Sequence, residues 1–366
     1  MDIAITAIGT ANPYYRRTQS DTAELVAAGL HLTAAEKRLL KSIYRGTGIQ
    51  QRHSVLSDYC KEPGQFDFFP NNPDETFPTT SARMRLYKEN ALNLALEAIN
   101  NCFENSTFEI NQITHLITVS CTGMYAPGID IEITQKLNLS SSVKRTAINF
   151  MGCYGAFNGI KMAHAICQGE PNAKVLVVSV EICTIHLQKN TSTDNFIANA
   201  IFSDGAGAVL IESNPEQEKY FNLQGFHCDL LPQSSQEMAW HVGDNGFDIV
   251  LSSYVPDIIQ TGIVAFAHKL LNQYQLNFED IDLFAIHPGG IKILQACEKE
   301  LNITTHDNRY AYAVLQKYGN MSSATIIFVL KAIWDDQPEH DNTIFSCAFG
   351  PGLTLESMLL QTHLQC

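Results

Sequence analysis

The sequence predicts an α/β protein made of two similar halves that pack against each other. Short apolar runs typical of buried strands alternate with segments whose apolar residues recur at helical spacing. The order of these segments in the second half repeats their order in the first. At 366 residues the chain is also longer than a single domain of about 100–200 residues. We therefore place the two halves at residues 1–213 and 214–366.

The first half begins with a strand, and helices and strands alternate after it. Residues 1–9 have strand composition, and Thr33 followed by Glu36 predicts a capped helix start within 20–44. Prolines and asparagines predict a long surface loop over 58–78. The other elements expected are helices at 80–100 and 129–137 and strands at 113–120, 174–180 and 207–212.

The second half repeats this order in outline. A strand expected at 280–287 corresponds to 113–120, and a helix that begins at Met321 corresponds to the helix that follows Cys153. Strands expected at 343–347 and 353–357 match 175–180 and 207–212. If a pseudo-twofold axis relates the halves, the loops that carry Cys153, His287 and Asn320 converge on one central crevice.

The composition excludes several classes of function. A formal charge of −14 argues against a nucleic-acid partner, because phosphate binding needs a clustered positive surface. One basic cluster exists near the N-terminus, and a solvated helix face explains it at least as well as a bound anion does. The residues of this basic cluster are Lys37, Arg38, Lys41, Arg45 and Arg52.

The chain has the features of a soluble globular enzyme. It contains no run of about 18 apolar residues that could span a membrane. The N-terminus has no basic segment of a signal peptide, so we expect a cytoplasmic protein. Ten cysteines are scattered along the chain, and reduced thiols are expected for them. Neither a CxxC pair nor Cys/His clusters at zinc spacing occur, so we expect no metal.

The corner around Cys153 is the first candidate for chemistry. Apolar residues lead to Gly152-Cys153-Tyr154-Gly155, and apolar residues at helical spacing follow it. The cysteine thus lies where a helix begins, and free N–H groups and the helix dipole there favour a thiolate. The glycines would allow a substrate carbonyl to approach the sulfur. A buried, inert cysteine is the alternative explanation.

Cys153, His287 and Asn320 together suit acyl transfer. An imidazole within hydrogen-bond reach stabilises a thiolate by forming an ion pair with it. An asparagine amide and a histidine N–H can both donate to an oxygen that gains negative charge. The sequence by itself does not show that the three residues meet.

Five separated segments resemble the signature segments of type III polyketide synthases, the chalcone synthase-like family. They occur in the order and at the spacing of that family, and the resemblance spans nearly the whole chain. One is the Cys153 helix, and the other four are Phe202-Ser203-Asp204-Gly205-Ala206, Ile286-His287-Pro288-Gly289-Gly290, Tyr318-Gly319-Asn320-Met321-Ser322-Ser323-Ala324 and Ala348-Phe349-Gly350-Pro351-Gly352-Leu353-Thr354.

The resemblance implies a fold, a mechanism and a set of partners. The fold would be the five-layered αβαβα thiolase-like fold of two pseudo-symmetric halves, assembled as a homodimer. Cys153, His287 and Asn320 would form the catalytic triad, with malonyl-CoA and an acyl-CoA starter as substrates. The starter would be loaded on Cys153, and the chain would be lengthened by the enolate from decarboxylated malonyl-CoA. No metal or redox cofactor would be needed, since the CoA thioesters are substrates.

The resemblance also implies roles for pocket residues. Phe202 is similar to a phenylalanine gatekeeper between the CoA tunnel and the cavity, and Phe247 is a candidate for a second one. Arg45 and Arg52 are the best candidates for contacts with CoA phosphates. Ala126 stands where chalcone synthases insert a methionine into the partner's cavity. The other implied pocket residues are Cys121, His186, Ser322, Gly350 and Pro351.

Ala126 could make room for a long acyl chain, whereas His186 could narrow the pocket. From these departures we expect an alkylpyrone or alkylresorcinol product. Three alternatives remain: a ketoacyl synthase III-like enzyme that condenses once, a Cys-His-Asn thioesterase, and an inert dimerisation partner. A ketoacyl synthase III would be expected to carry Gln-Ala-Asn after the histidine, where this chain has Pro288-Gly289-Gly290.

Overall fold

The computed structural model of the protein describes residues 2–104, 108–231, 237–252, 255–336 and 340–364. Within these ranges the strands are β1 (Ile3–Ala11), β2 (Tyr15–Thr18), β3 (Gln51–Ser54), β4 (His115–Ser120), β5 (Lys144–Asn149), β6 (Lys174–Ile182), β7 (Asp204–Ser213), β8 (Lys219–Leu230), β9 (Met238–Gly243), β10 (Gly246–Leu251), β11 (Leu283–Ile286), β12 (Thr343–Gly350) and β13 (Thr354–Leu364).

The helices alternate with these strands, as expected for an α/β chain. They are α1 (Gln19–Gly29), α2 (Ala34–Arg45), α3 (Thr80–Phe103), α4 (Ile129–Lys136), α5 (Gly155–Gly169), α6 (Thr193–Ile201), α7 (Val255–Gln273), α8 (Ile291–Leu301), α9 (Arg309–Tyr318) and α10 (Thr325–Asp336). None of them is long and apolar enough to cross a lipid bilayer. The expected capping box is present at the start of α2, where Thr33 and Glu36 cap each other.

The strand order confirms two pseudo-symmetric halves. In the first half β1, β7, β6, β4 and β5 lie side by side, and in the second half β8, β13, β12 and β11 follow the same order. The directions also agree, because the first two pairings in each half are antiparallel and the β6–β4 and β12–β11 pairings are parallel. The halves join where β1 pairs with β8. The division after residue 213 stays a prediction.

The packing gives the five layers of the thiolase-like fold. Strand β6 is buried on both faces, since Val175 and Val177 pack in one core cluster while Leu176 and Val178 pack in another. The first cluster holds α5 and α10, which form the central layer between the two halves of the nine-stranded sheet. Helix α3 covers the outer face of the first half of the sheet, and α7 lies against β8 and β13 of the second half.

The expected surface loop at 58–78 is ordered around one buried carboxylate. Apart from a short 3-10 turn at Ser57–Cys60, the segment forms no helix or strand. The Asp58 carboxylate, which is fully buried, accepts hydrogen bonds from the backbone N–H groups of Asp67 (2.7 Å), Phe68 (3.1 Å) and Phe69 (2.9 Å). These charge-assisted bonds replace the regular backbone pairing that the segment lacks.

Two features differ from the sequence prediction. The helix expected at Met321 begins as a 3-10 turn at Ser322–Ala324, and α10 proper begins at Thr325. The prediction also omitted β2, β3, β5, β8 to β10 and α7 to α9, although β5 and β8 belong to the main sheet. The exposed and half-buried pattern of β5 explains why a search for apolar runs did not find it.

Close packing between β1 and α3 makes Gly9 a sensitive position. A Cβ at Gly9 would lie 2.1 Å from the Cys102 backbone nitrogen and 2.3 Å from the Ala98 carbonyl oxygen. We expect Gly9→Ala to destabilise the fold by about 1–3 kcal/mol, because backbone must move to admit the methyl group. Gly169→Ala is the matched control, since nothing lies within 4 Å of a Cβ there. Thermal unfolding measures both variants, and equal midpoints would contradict this packing.

Candidate active site

Three loops bring Cys153, His287 and Asn320 to one cavity. Cys153 follows β5, His287 follows β11 and Asn320 precedes the 3-10 turn before α10. All three side chains line the same cavity in the centre of the molecule. The expected convergence is therefore observed in the described residues. His287 and Asn320 are each 1% exposed, so their polar groups act in a site largely shielded from water.

The corner at Cys153 is fixed by backbone geometry. Phe150 and Gly152 have φ angles of +60° and +80°, which L side chains rarely adopt. A Cβ at Gly152 would lie 2.2 Å from Cδ of Pro351, so only glycine fits here. Helix α5 begins at Gly155, two residues after the cysteine. The sulfur is thus presented from a tight corner at the helix start, as predicted.

The backbone of Asn320 is held against the loop before β7. Its N–H donates to the carbonyl oxygen of Ile201 (2.9 Å), and its carbonyl oxygen accepts from the N–H of Ser203 (2.8 Å). This pairing joins the loop of the second half to the first half. It also explains why Phe202, which lies between the two partners, is a neighbour of the triad.

The amide of Asn320 is oriented by its neighbours. Oδ1 accepts from the backbone N–H of Ser322 (2.8 Å) and from Oγ1 of Thr325 (3.3 Å). Nδ2 donates to the carbonyl oxygen of Gly289 (3.3 Å) and lies 3.9 Å from Sγ of Cys153. Oδ1 lies 4.0 Å from the same sulfur, so the whole amide lies beside the nucleophile and its Nδ2 end can donate to an oxyanion there.

His287 is buried with both ring nitrogens unpartnered among the described residues. Its backbone N–H donates to the carbonyl oxygen of Cys347 (2.8 Å), and its own carbonyl oxygen accepts from Gly289 (2.9 Å). The backbone is thus held while the imidazole remains available. A buried ring without partners is unfavourable for stability and is typical of a group that acts on a substrate.

Burial favours the neutral forms of the two reactive side chains. Removal from water raises the pKa of the Cys153 thiol to about 12. Hydrogen bonds from the Ser322 hydroxyl and the Asn320 amide lower this pKa, but by less. Removal from water also lowers the pKa of His287 to about 3. Both directions favour a thiol and a neutral imidazole in this cavity. Burial therefore opposes the thiolate–imidazolium pair expected from the sequence, and that pair stays a prediction.

Glu181 at the end of β6 supports the site from behind, although sequence analysis did not single it out. Its carboxylate is fully buried and accepts from the N–H of Cys121 (2.9 Å), from Oγ1 of Thr122 (2.7 Å) and from the hydroxyl of Ser323. Burial raises its pKa. The signal that could have identified it is an acidic residue inside the apolar run 175–182.

Four predicted pocket residues lie in the Cys153 cavity. Its wall includes Cys121, Phe202, Ser322 and Pro351. The Cys121 sulfur accepts a hydrogen bond from the N–H of Gly152 (2.9 Å), which couples the pocket wall to the nucleophile corner. Ser322 has a φ of +50°, a strained value for a serine, which agrees with a functional position.

Gly350 does not line either interior pocket, but it fits the predicted role of a loop that shapes the cavity. A Cβ at Gly350 would lie 2.4 Å from Cδ1 of Tyr154, the residue that follows the nucleophile. The loop after β12 is therefore packed directly on the corner at Cys153.

A second interior pocket adjoins the first. Cys183, Phe202, Trp240 and Ile249 line both pockets, and His186, Phe247 and Arg52 line the second. Phe247 thus lies behind the Cys153 cavity and does not line it. Its assignment as a second gatekeeper stays a prediction.

His186 holds the inserted β9–β10 hairpin against the pocket. Its Nε2 and the carbonyl oxygen of Thr122 are 2.7 Å apart, and its Nδ1 accepts from the N–H of Phe247 (3.0 Å). Its ring stacks on Phe247 at 4.4 Å. Trp240, another hairpin residue that sequence analysis missed, donates from Nε1 to the carbonyl oxygen of Cys121 (2.7 Å).

The three remaining site predictions concern Arg52, Arg45 and Ala126. Burial of Arg52 conflicts with its expected role, and the other two residues line neither interior pocket. Arg52 is 2% exposed, so its guanidinium does not lie on the surface where CoA phosphates were expected. Arg45 is exposed in a surface pocket that Arg38 and Lys41 also line. Ala126 is exposed and lines neither interior pocket of this chain.

Comparison with known proteins agrees with this geometry. The profile of chalcone and stilbene synthases matches over both halves, with its N-terminal domain at residues 2–215 and its C-terminal domain at residues 222–363. The chain belongs to this family. Its members are type III polyketide synthases, which are acyltransferases that use malonyl-CoA.

Relatives match over the full length of the chain. The alpha-pyrone synthesis polyketide synthase-like Pks18 of Mycobacterium tuberculosis is 30% identical over 97% of this chain and 90% of its own. The 1,3,6,8-tetrahydroxynaphthalene synthase of Streptomyces peucetius is 28% identical, with coverage of 98% and 93%. The crystal structure of the type III polyketide synthase domain of Steely1 from Dictyostelium superimposes with a TM-score of 0.90 at 25% identity and covers both chains completely.

The protonation state of this polyketide synthase can be tested by alkylation of Cys153. With a thiol pKa of about 12, the reactive thiolate fraction is small at neutral pH. We expect iodoacetamide labelling of Cys153 to accelerate about tenfold per pH unit between about pH 6 and pH 10. Mass spectrometry of the peptide follows the reaction, with Cys153→Ala as the blank. A rate that is fast and independent of pH near neutrality would instead indicate the thiolate–imidazolium pair.

Proposed function

We propose that this chain loads an acyl-CoA starter on Cys153, extends it with malonyl-CoA and cyclises the product to an alkylpyrone or alkylresorcinol. The observation that supports it most is the arrangement of Sγ, the His287 imidazole and the Asn320 amide around one enclosed cavity. One group attacks, one exchanges protons, and two can donate to an oxyanion, which is the set that acyl transfer requires.

Loading follows from the neutral pair. His287 takes the thiol proton while Sγ of Cys153 attacks the carbonyl carbon of the starter thioester. The oxyanion accepts from Nδ2 of Asn320, whose orientation is fixed by Ser322 and Thr325. Collapse of the intermediate expels CoA, which receives the proton from His287. The acyl group is then joined to the enzyme as a thioester.

Extension uses the same donors. Malonyl-CoA loses carbon dioxide, and the enolate oxygen of the resulting acetyl-CoA carbanion accepts from His287 and Asn320. The enolate carbon attacks the acyl thioester and displaces the Cys153 thiolate, which can attack the new β-ketoacyl-CoA and begin another round. Every step places negative charge on a thioester oxygen at one location, so a single site serves all of them. The proposal includes no metal or redox cofactor.

An alkyl-chain starter is favoured by the shape of the interior. The second pocket lies directly behind the Cys153 cavity and shares four wall residues with it. Two of the relatives are named for an alpha-pyrone and a tetrahydroxynaphthalene, which are cyclised polyketides.

We also propose a homodimer in the cytoplasm, in which the exposed Ala126 faces the partner's cavity.

The first test is incubation with labelled malonyl-CoA and acetyl-, hexanoyl- and longer acyl-CoA starters. We expect labelled pyrones or resorcinols from the wild type and none from Cys153→Ala, because the nucleophile is lost. Cys183→Ala is the matched control, since it removes another cysteine of the same cavity and should still give product. Free acid alone would indicate a thioesterase, and dependence on a carrier protein would indicate a ketoacyl synthase III-like enzyme.

A second test concerns the oxyanion donor. We expect Asn320→Ala to lower the turnover number about 10²–10³-fold, because Nδ2 beside Cys153 is removed. Initial rates with a starter that the wild type accepts measure the effect. Asn158→Ala removes an asparagine side chain from α5 that lines neither pocket and serves as the control. Similar rates for the two variants would exclude the assigned role of Asn320.

A further inference from the structure

The second interior pocket contains a group for which the proposed mechanism has no use. Arg52, on β3, lines this pocket and is 2% exposed. Its Nε donates to Oε1 of Gln19 (3.0 Å), and its Nη1 donates to the carbonyl oxygens of Asn199 (2.6 Å) and Phe202 (2.7 Å). Its Nη2 has no partner among the described residues. A buried, charged donor without an acceptor is costly, so an acceptor is expected in the pocket.

Asn199 provides a second donor of the same kind. It lies on α6, lines the same pocket, and accepts from Arg52 through its backbone carbonyl oxygen. Its side-chain Nδ2 is shielded from water and also lacks a partner in the described part of the chain. Two unsatisfied donors on neighbouring residues therefore line one pocket.

The charge of the pocket favours an oxygen acceptor. None of its described lining residues is an aspartate or glutamate. Asp204 exerts its charge on Arg52 from β7, but its carboxylate already accepts from the N–H groups of Val55 (2.9 Å) and Thr184 (2.8 Å). On another side, the Tyr44 ring faces the guanidinium at 5.3 Å. The Tyr44 side chain also interacts with Arg52, but Nη2 itself has no acceptor among the described residues. An oxygen of a ligand in the pocket would supply one.

The position of this pocket connects it to Cys153. Cys183, Phe202, Trp240 and Ile249 form the wall common to both pockets. Outside the catalytic groups, the first cavity is lined mainly by apolar side chains such as Met238. Arg52 and Asn199 line only the second pocket. An acyl chain with an apolar middle and a polar far end matches this order of surfaces.

We propose that the second pocket binds the oxygen-bearing far end of an acyl group carried on Cys153, with Nη2 of Arg52 and Nδ2 of Asn199 as donors. The favoured class is an ω-carboxyacyl starter, since its carboxylate satisfies both donors and balances the buried charge. This inference rests on the proposed function in one respect, that Cys153 receives acyl groups from CoA.

The test compares starters that differ only at the far end. Hexanoyl-, octanoyl-, decanoyl- and dodecanoyl-CoA are each paired with the ω-carboxyacyl-CoA of equal length, and mass spectrometry follows acylation of Cys153. For at least one length we expect the carboxylated member to have a loading efficiency at least about tenfold higher, because buried donors gain their acceptor. The methyl-ended starter is the internal reference for each enzyme variant.

Two substitutions of Asn199 test the assigned donors. Asn199→Leu removes Nδ2 at similar size, and we expect the preference for the carboxylated starter to fall about tenfold. Asn199→Asp adds a carboxylate to the pocket that Arg52 also lines, and we expect the preference to reverse, since this carboxylate and that of the starter repel each other. Arg52 itself is left intact because it also holds two wall carbonyl oxygens. Asn158→Leu is the control, since Asn158 also has an unpartnered Nδ2 but lines neither pocket.

The outcomes separate this inference from the proposed function. Equal loading of both members of every pair, or a preference that survives both Asn199 variants, would overturn the inference. Preferential loading without any condensation with malonyl-CoA would refute the polyketide function and leave the pocket assignment standing. If no starter loads, the thermal unfolding midpoint is measured with octanedioate and with octanoate, for the wild type and for Asn199→Asp. If octanedioate raises the midpoint of both proteins equally, the pocket assignment is refuted.

Discussion

The active site depends on the hydrogen bonds that the buried carboxylate of Glu181 accepts. It lies at the end of β6 and receives donors from the segment after β4, through Cys121 and Thr122, and from Ser323 of the other half. Ser323 is three residues from Asn320, so the same carboxylate that fixes the pocket wall also fixes the loop of the oxyanion donor. A buried acid is tolerated here because donors surround it.

Around that carboxylate, some groups lack hydrogen-bond partners among the described residues or have strained backbone angles, whereas the residues that support them have their hydrogen bonds made. The His287 ring has no partner within the part of the chain that the structure describes, and Ser322 and Phe150 adopt strained backbone angles. Asn320, in contrast, is held at its backbone and at its amide oxygen. Strained and unpaired groups therefore lie next to Cys153 and Asn320, and the surrounding hydrogen bonds compensate for them.

Sequence patterns predicted the class of fold, its internal repetition and the convergence of Cys153, His287 and Asn320. Periodicity succeeded because buried strands and amphipathic helices leave a local pattern, whereas β5 has little apolar burial and β8 to β10 were not recognised. Arg52 was assigned to the surface because charge can be read from sequence and burial cannot. The protonation state of Cys153 cannot be read from sequence for the same reason, since its pKa depends on desolvation by distant residues.

Several wall residues of the second pocket lie on two insertions outside the repeated strands. Arg52 lies on a segment inserted between β1 and α3, and Trp240 and Phe247 lie on the hairpin inserted between β8 and α7. Neither insertion belongs to the repeated strand order that holds the triad. Under the proposed role of the second pocket, natural variation in these two insertions can change the range of accepted substrates while the duplicated scaffold stays intact.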